Sequence, residues 1–248
     1  MRKRPIGYHY SIVVDGGEGD EAPPRRGRFH VLYQGVGPIV RTMHLPTLAR
    51  AFVSELESWL LLERDDAVYA RCAPIAMNGT KLLVPGWLVS YVGELGRRVE
   101  KAGLTLPLSR WSKIDPATGV VLPTPSLLEV PPGAIDDLGP RHAADECDVK
   151  LATLDSPVVV AGVVTYNSQL ETIAATSRGL ALARLAISTA NIEKLGGRAV
   201  DGLRRVIERA ACYETGLGRR RQMLSSLLAV FEDASRHDHD HATEEVDA

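Results

Sequence analysis

The residues of this chain that come closest to a known chemical motif lie at positions 81–95, which read KLLVPGWLVSYVGEL. An apolar run passes through a Pro-Gly corner into a helical pattern, which is the frame of a phosphate-binding loop. A working loop reads G-x-x-x-x-G-K-[ST], because its glycines let backbone N–H groups close on phosphate oxygens, its lysine neutralises charge and its hydroxyl holds magnesium. Counted from Gly86, the last three positions are Tyr91, Val92 and Gly93. The frame is present without the groups that bind a nucleotide.

Several side chains near this corner could still bind an anion. Arg71, Arg110 and Lys113 are cationic, and guanidinium forks match the geometry of phosphate. Ser90 and Gly86 could offer backbone N–H groups at a helix start, a generic anion site. The alternative is that these residues bind no ligand. The arginines would then lie on the surface or form salt bridges, and bulky neighbours would crowd the helix start.

Composition limits the classes of function. The formal net charge is -2 and the sequence pI about 6.4, so the basic footprint of a nucleic-acid-binding protein is absent. The sequence contains three cysteines and no C-x-x-C pair, which argues against a disulfide framework and a structural zinc site. The basic N-terminus is not followed by the apolar run that forms the core of a signal peptide. No apolar window is long enough to span a bilayer. We therefore expect a cytoplasmic protein that binds neither nucleic acid nor membrane.

The elements that must position the corner can be read from periodicity and turn residues. Apolar residues at three- and four-residue intervals predict helices, continuous β-branched runs predict buried strands, and Asn78-Gly79 predicts a tight hairpin. Residue Val92 falls on the apolar face of the helix after the corner and is predicted to be a core residue. The predicted strands are 8–14, 29–34, 67–77, 81–85, 104–108, 114–123 (with a turn) and 158–166; the predicted helices are 45–64, 86–99, 178–192, 199–212 and 219–234.

Three segments look unlike packed structure. Residues 15–27 and 124–156 are rich in Gly, Pro and acidic side chains, which is typical of long surface loops. Residues 236–248 alternate His and Asp and then become acidic, which predicts a disordered tail. Its imidazoles could bind zinc or nickel, but a run of alternating ligands without fixed geometry holds metal weakly, and we predict no metal site. We divide the chain into an N-terminal module (1–64), a core (65–235) and this tail (236–248).

The order of these segments resembles the HPr kinase/phosphorylase C-terminal domain and, more closely, short HPr-kinase-related proteins found beside bacterial secretion and peptide-modification genes. The resemblance covers roughly residues 67–232. Three anchors carry it: the hairpin and strand ending in LLVPG at 82–86, the stretch SRWSKIDPATGVVLP at 109–123, and the closing helices with ACYE at 211–214.

What the resemblance implies about chemistry is contradicted by the residues present. In active relatives the loop supplies Lys and Ser or Thr, a His lies on the strand before it, and an acidic pair follows the next strand. Here the His position reads Arg71 and the acidic pair reads Ser109-Arg110. Because phosphoryl transfer depends on charge neutralisation and positioning of the phosphates, these changes remove most transition-state stabilisation.

The sequence therefore predicts an α/β protein with an HPr kinase/phosphoenolpyruvate carboxykinase-like P-loop core, a small N-terminal β/α module and a helical C-terminal cap. We expect a pseudokinase without catalytic residues or an ATP/Mg cofactor, binding a peptide or protein partner as a scaffold, in bacterial peptide natural-product biosynthesis. Relatives are often hexamers, so homo-oligomerisation stays open. The alternative is a diverged ATP-dependent peptide or protein serine kinase using Arg71, Arg110 or Lys113. A third interpretation is an emptied pocket, lined by Trp87 and Tyr91, for an unrelated small molecule.

Overall fold

The structure is a computed structural model that describes residues 9–14, 29–93, 95–107, 110–123, 151–152 and 154–244. The fold is mixed α/β. The chain divides into two compact units, and the division falls between Trp59 and Leu60. The domain division of the sequence analysis, with boundaries after residues 64 and 235, stays a prediction. The predicted loop at 15–27 and most of that at 124–156 lie outside the described residues.

The N-terminal unit contains an antiparallel sheet in the order β1-β2-β3. The strand pair predicted from the sequence is confirmed, with Tyr10 opposite Gln34. The third strand was not predicted. It forms because Gly35 adopts a φ of 59°, a conformation open to glycine, and this reverses the chain within two residues. These strands are β1 (Tyr10–Val13), β2 (His30–Gln34) and β3 (Gly37–Thr42), and helix α1 (Leu45–Leu62) follows them.

The second unit is built on a five-stranded sheet in the order β12-β13-β11-β6-β5. Its three middle strands run parallel and its two edge strands antiparallel. The strands of this unit are β4 (Val68–Ala70), β5 (Cys72–Met77), β6 (Thr80–Pro85), β7 (Leu106–Pro107), β8 (Ser112–Ile114), β9 (Val121–Leu122), β10 (Leu151–Ala152), β11 (Gly162–Tyr166), β12 (Ile173–Ala175) and β13 (Ala211–Thr215). Its helices are α2 (Gly86–Gly93), α3 (Arg97–Lys101), α4 (Arg178–Ile187), α5 (Ile192–Leu195), α6 (Gly197–Arg209) and α7 (Arg220–Glu244).

Both faces of this sheet are buried, which explains the continuous apolar runs in its strands. Along β6, Leu82 and Val84 join the core cluster that includes residues of α2 and α7, whereas Leu83 joins the cluster that includes residues of α4 and α6. This alternation follows the two-residue period of a strand. Val92 of α2 is 1% exposed within the first cluster, so its predicted place in the core is confirmed.

The predicted hairpin is confirmed with its turn chemistry. Thr80 pairs with Met77, and the two residues between them, Asn78 and Gly79, have φ angles of 50° and 87°. Positive φ at both positions defines a turn whose twist matches that of the flanking strands. The hairpin thereby fixes the register of β6, the strand that ends at the Pro-Gly corner.

Several predicted helices are shorter than expected, and the one predicted over 178–192 ends at Ile187. The helix after the corner was predicted over 86–99, but it divides into α2 and α3 because Gly96 adopts a φ of 40° and interrupts the helical backbone. The helix predicted over 199–212 ends at Arg209, and Cys212 lies in β13. Cys212 and Tyr213 belong to the two different core clusters. A strand inserted into the sheet can bury both, whereas a helix surface on one face cannot.

The C-terminal segment also differs from expectation. Helix α7 continues to Glu244, through most of the stretch predicted to be a disordered tail. The sequence contains no Gly or Pro after position 218, so nothing there breaks a helix once α7 has formed. Within the described residues, no helix combines the length and hydropathy needed to cross a bilayer.

Candidate functional site

A cavity of about 830 Å³ opens in the second unit, where the parallel strands end. Pro85 closes β6, Tyr166 closes β11, and Leu217 follows β13, and all three line the cavity. Helix α4 supplies another wall. Ligands of open α/β sheets bind at the carboxyl ends of the strands, because the chain there is free to diverge into loops and helices. The cavity is therefore the candidate functional site.

The Pro-Gly corner at this edge is packed closely against two other backbone segments. Residue Pro85 ends β6 and Gly86 begins α2 directly, so no loop remains to wrap a phosphate group. The N–H of Gly86 donates to the carbonyl of Arg71 at 3.2 Å, which uses one of the donors an anion would need. A Cβ on Gly86 would lie 2.7 Å from the carbonyl oxygen of Arg110. The glycine is required by this close approach of two backbone segments.

Aromatic side chains form one wall of the cavity. The ring of Trp87 makes edge-to-face contacts with Tyr91 (6.0 Å between centroids) and with Tyr166 (5.6 Å). The hydroxyl of Tyr91 donates to the carbonyl of Gly218 at 2.5 Å, and the Arg220 guanidinium lies 5.0 Å from its ring centroid. Counted from Gly86, Tyr91 occupies the position of the second glycine of the motif, and both its ring and its hydroxyl are held in place.

The remaining positions of the predicted loop are Ser90, Val92 and Gly93. Val92 lies in the core, and a Cβ on Gly93 would be in ordinary contact with Leu106 at 3.5 Å. Ser90 lies inside α2, four residues after its start. Val92 and Gly93 are not among the described residues that line the cavity.

Arg71 is the sequence candidate that the structure brings to the cavity. It stands between β4 and β5, and its backbone N–H donates to Ser188 at 2.8 Å. Its exposed side chain lines the cavity, with the guanidinium carbon 5.9 Å from the Trp111 ring centroid. Among the described residues, no carboxylate lies within ion-pair distance of Arg71. Its charge is therefore available to a ligand.

Arg184, on α4, is a second arginine of the cavity, and it is committed to the fold. Its guanidinium forms an ion pair with Glu214 of β13. The same carboxylate accepts hydrogen bonds from Asn167 Nδ2 at 3.0 Å and Thr176 Oγ1 at 3.3 Å. With both oxygens engaged, Glu214 is poorly placed to act as a general base. The sequence reasoning missed this network. The residues that directly follow the buried 158–166 run were the signal that could have indicated Asn167.

Lys113 and Arg110, the other two sequence candidates, are not among the described residues that line the cavity. The Lys113 ammonium lies 2.9 Å from Asp66 Oδ2, and Arg110 contributes its carbonyl to the packing around Gly86. Ser109 lies outside the described residues. The three cations grouped by sequence are thus separated, with Arg71 alone reaching the cavity.

Asp66 lies at the centre of a polar cluster, which we call the Asp66 cluster and which consists of Arg64, Asp66, Tyr69 and Lys113. Arg64 Nε lies 3.0 Å from Asp66 Oδ1, and the Tyr69 hydroxyl donates to Oδ2 at 3.1 Å. The hydrogen bond from Arg64, aided by Lys113 and Tyr69, holds the pKa of Asp66 well below its ordinary value although partial burial opposes the shift. Burial and the neighbouring carboxylate raise the pKa of Tyr69 to about 12.

Cys72 is the thiol that lines the cavity, and it is unsuited to nucleophilic attack. It is 3% exposed, and burial raises the pKa of its thiol to about 12, against which a hydrogen bond with Ser112 acts weakly. A thiol is reactive as its thiolate, so Cys72 behaves as a small apolar side chain. Within the described part of the chain, no three His, Cys, Asp or Glu side chains cluster as a metal site would require.

Comparison of the chain with protein-family models, with curated proteins and with solved structures gave no match. The function must therefore be argued from the cavity itself.

Proposed function

We propose that this chain is a non-catalytic binding protein, a pseudokinase with an HPr-kinase-like core, whose cavity at the carboxyl edge of the sheet holds part of a peptide or protein partner. The observation that carries the proposal is the corner after β6. There the Gly86 N–H is bonded to the Arg71 carbonyl, Tyr91 stands in place of the motif's second glycine, and the buried Val92 stands in place of its lysine. A cytoplasmic role in bacterial peptide natural-product biosynthesis, without nucleic acid, membrane or ATP/Mg cofactor, belongs to the same proposal.

The shape and rim of the cavity favour a partner over a nucleotide. Ile187 is 86% exposed and Leu217 is 60% exposed, and both lie on the rim. Large exposed apolar side chains beside a pocket are typical of surfaces that another molecule covers. Trp, Tyr and Arg, which form the wall, are the residue types that contribute most to binding energy at protein interfaces.

The alternative is a diverged ATP-dependent kinase that uses Arg71, Arg110 or Lys113 in place of the loop lysine. Two of these three cations do not support it. Lys113 is paired with Asp66, and Arg110 does not line the cavity in the described structure. Arg71 alone would have to neutralise a triphosphate, and the described lining residues contain no carboxylate to hold magnesium. Transition-state charge in phosphoryl transfer is normally shared among several cations.

The test is the melting temperature of the full chain with ATP and magnesium, with magnesium alone and with ATP alone. A ligand present at 100 times its Kd stabilises a protein by about 2.7 kcal/mol, which raises the melting temperature by several degrees. We expect no change in any arm at millimolar ATP. A rise that requires both ATP and magnesium and that is lost in Arg71→Met would overturn the non-catalytic proposal in favour of the kinase.

A further inference from the structure

The described lining of the cavity offers hydrogen-bond donors in excess of free acceptors. It includes two arginines, Arg71 and Arg184, and no Asp or Glu. Arg184 is neutralised by Glu214, which leaves the Arg71 guanidinium with its charge and its planar fork of donors. A guanidinium in this state pairs most strongly with a carboxylate or a phosphate.

Trp87 adds a second donor without an acceptor. Its Nε1 is buried and has no hydrogen-bond partner in the described structure. A buried N–H group left unpaired costs folding free energy, and such groups in native proteins call for a specific explanation. Trp87 is itself a lining residue, and an acceptor carried by a ligand would reach this buried N–H only if the indole turned toward the cavity.

Apart from the exposed residues Tyr166 and Ser168, the rest of the described lining is apolar, or polar and hydrogen-bonded within the fold. Thr165 Oγ1 donates to Tyr213, Ser188 Oγ donates to Leu185, and Asn167 Nδ2 donates to Glu214. Together with the rim of Ile187 and Leu217, this leaves a large apolar volume beside one localised positive charge. A compact, highly charged anion would fill neither the volume nor the apolar wall.

From these contacts we propose that the cavity binds a peptide segment in which a bulky apolar side chain stands next to a carboxylate. The apolar side chain packs against Trp87 and Tyr166, and the carboxylate pairs with Arg71. This ligand class rests on the proposed function and specifies the partner that the cavity selects. An acidic peptide is also matched in sign to the one uncompensated charge of the lining.

The first experiment is selection of a random heptapeptide library on the immobilised full chain, in parallel with the variants Arg71→Met and Lys113→Met. We expect enrichment of peptides with Asp or Glu beside an aromatic or large aliphatic residue on the wild type and on Lys113→Met, and loss of the acidic preference on Arg71→Met. Enriched peptides without an acidic residue would overturn the ligand class and leave the proposed function standing. If no peptide is enriched, both fail.

The second experiment locates the contact with defined probes. The indole N–H resonance of Trp87, assigned with Trp87→Phe, is followed while acetyl-Phe-Asp-amide, its neutral analogue acetyl-Phe-Asn-amide, 3-phenylpropionate and inorganic phosphate are titrated into the full chain. We expect the Asp peptide to shift this resonance and to bind about tenfold or more tightly than the Asn peptide, because a charge-assisted pair is lost in the latter. In Arg71→Met the two peptides should bind alike.

Three results would overturn the proposal. Equal affinity of the Asp and Asn peptides for the wild type would remove the role of the carboxylate. Tighter binding of inorganic phosphate than of the Asp peptide would identify an oxyanion site. Tighter binding of 3-phenylpropionate would identify a site for a free aromatic acid in place of a peptide.

Discussion

The Asp66 cluster and the cavity contain the same kinds of side chain, but their cations differ in whether they are paired within the fold. In the cluster, Asp66 is surrounded by the cations of Arg64 and Lys113 and by the hydroxyl of Tyr69. In the cavity, Arg71 faces aromatic and apolar side chains and has no carboxylate partner among the described residues. Sequence alone treated Lys113 and Arg71 as equivalent candidates for an anion. The difference teaches that a cationic side chain paired with a carboxylate of the same chain stabilises the fold, whereas a cationic side chain without such a partner can bind a ligand.

The largest expected effect concerns the residue that holds the Asp66 cluster in place. Asn191 is 1% exposed; it accepts from the N–H of Tyr69 at 3.0 Å and donates to the carbonyls of Arg64 and Ala67 at 2.9 and 2.7 Å. Asn191→Ala leaves two buried backbone groups and one partly buried backbone group unpaired, so we expect a loss of about 3 kcal/mol in the free energy of unfolding. Urea denaturation measures it.

The control for this variant is Glu193→Ala, an exposed substitution nearby on α5, which should change the free energy of unfolding by less than about 0.5 kcal/mol. A loss below about 1 kcal/mol in Asn191→Ala would show that the segment before β4 is held by other contacts.

Next in size is the ion pair of the cavity wall. Side chains of Arg184 and Glu214 are 25% and 15% exposed, so removal of one partner leaves the other partly desolvated. We expect Arg184→Met and Glu214→Gln each to cost about 2 kcal/mol. The double variant should cost less than the sum by about 1 kcal/mol or more, because the two residues contact each other. Additive losses in urea denaturation would mean that Arg184 acts apart from Glu214, which would weaken the distinction from Arg71.

A smaller effect is expected from acid. The pKa of Asp66 is lowered in the folded protein, so its stabilising contribution is fully present above the unfolded value of about 3.9 and is lost as pH falls toward the folded value. The free energy of unfolding of the wild type should therefore approach that of Asp66→Asn between about pH 5 and pH 2. Partial exposure limits the gap at neutral pH to about 1 kcal/mol. Denaturation across this pH range measures the gap, and a constant gap would contradict the assignment.

The smallest expected effect separates the two cations that the sequence grouped together. Lys113→Met should lower the free energy of unfolding by about 0.5 kcal/mol, since it removes one half-exposed ion pair, and it should leave peptide binding unchanged. Arg71→Met should change stability by less than that, because no carboxylate pair is removed. Denaturation and peptide titration on the same two variants provide the measurement. A reversal, with Arg71 stabilising the fold and Lys113 governing binding, would break the comparison between the cluster and the cavity.

The features that were predicted correctly from the sequence depend on local interactions. The Asn78-Gly79 hairpin and the burial of Val92 both follow from interactions within a few residues. The helix predicted from periodicity over 199–212 overlaps strand β13, because the place of this strand between β11 and β12 depends on partners about fifty and forty positions away. Arg184 was missed because nothing in its local sequence distinguishes it, whereas Asn167 was missed although it directly follows the predicted strand at 158–166.

The sequence by itself determined that the corner at residues 81–95 lacks the lysine, the hydroxyl and the second glycine of a phosphate loop, because those are residue identities. It also determined the hairpin and the apolar periods, which depend on local backbone preference. Only the tertiary structure decided which cations are paired. Arg71, Arg110 and Lys113 differ in what lies across space from them, and that depends on the packing of strands and helices far apart in sequence.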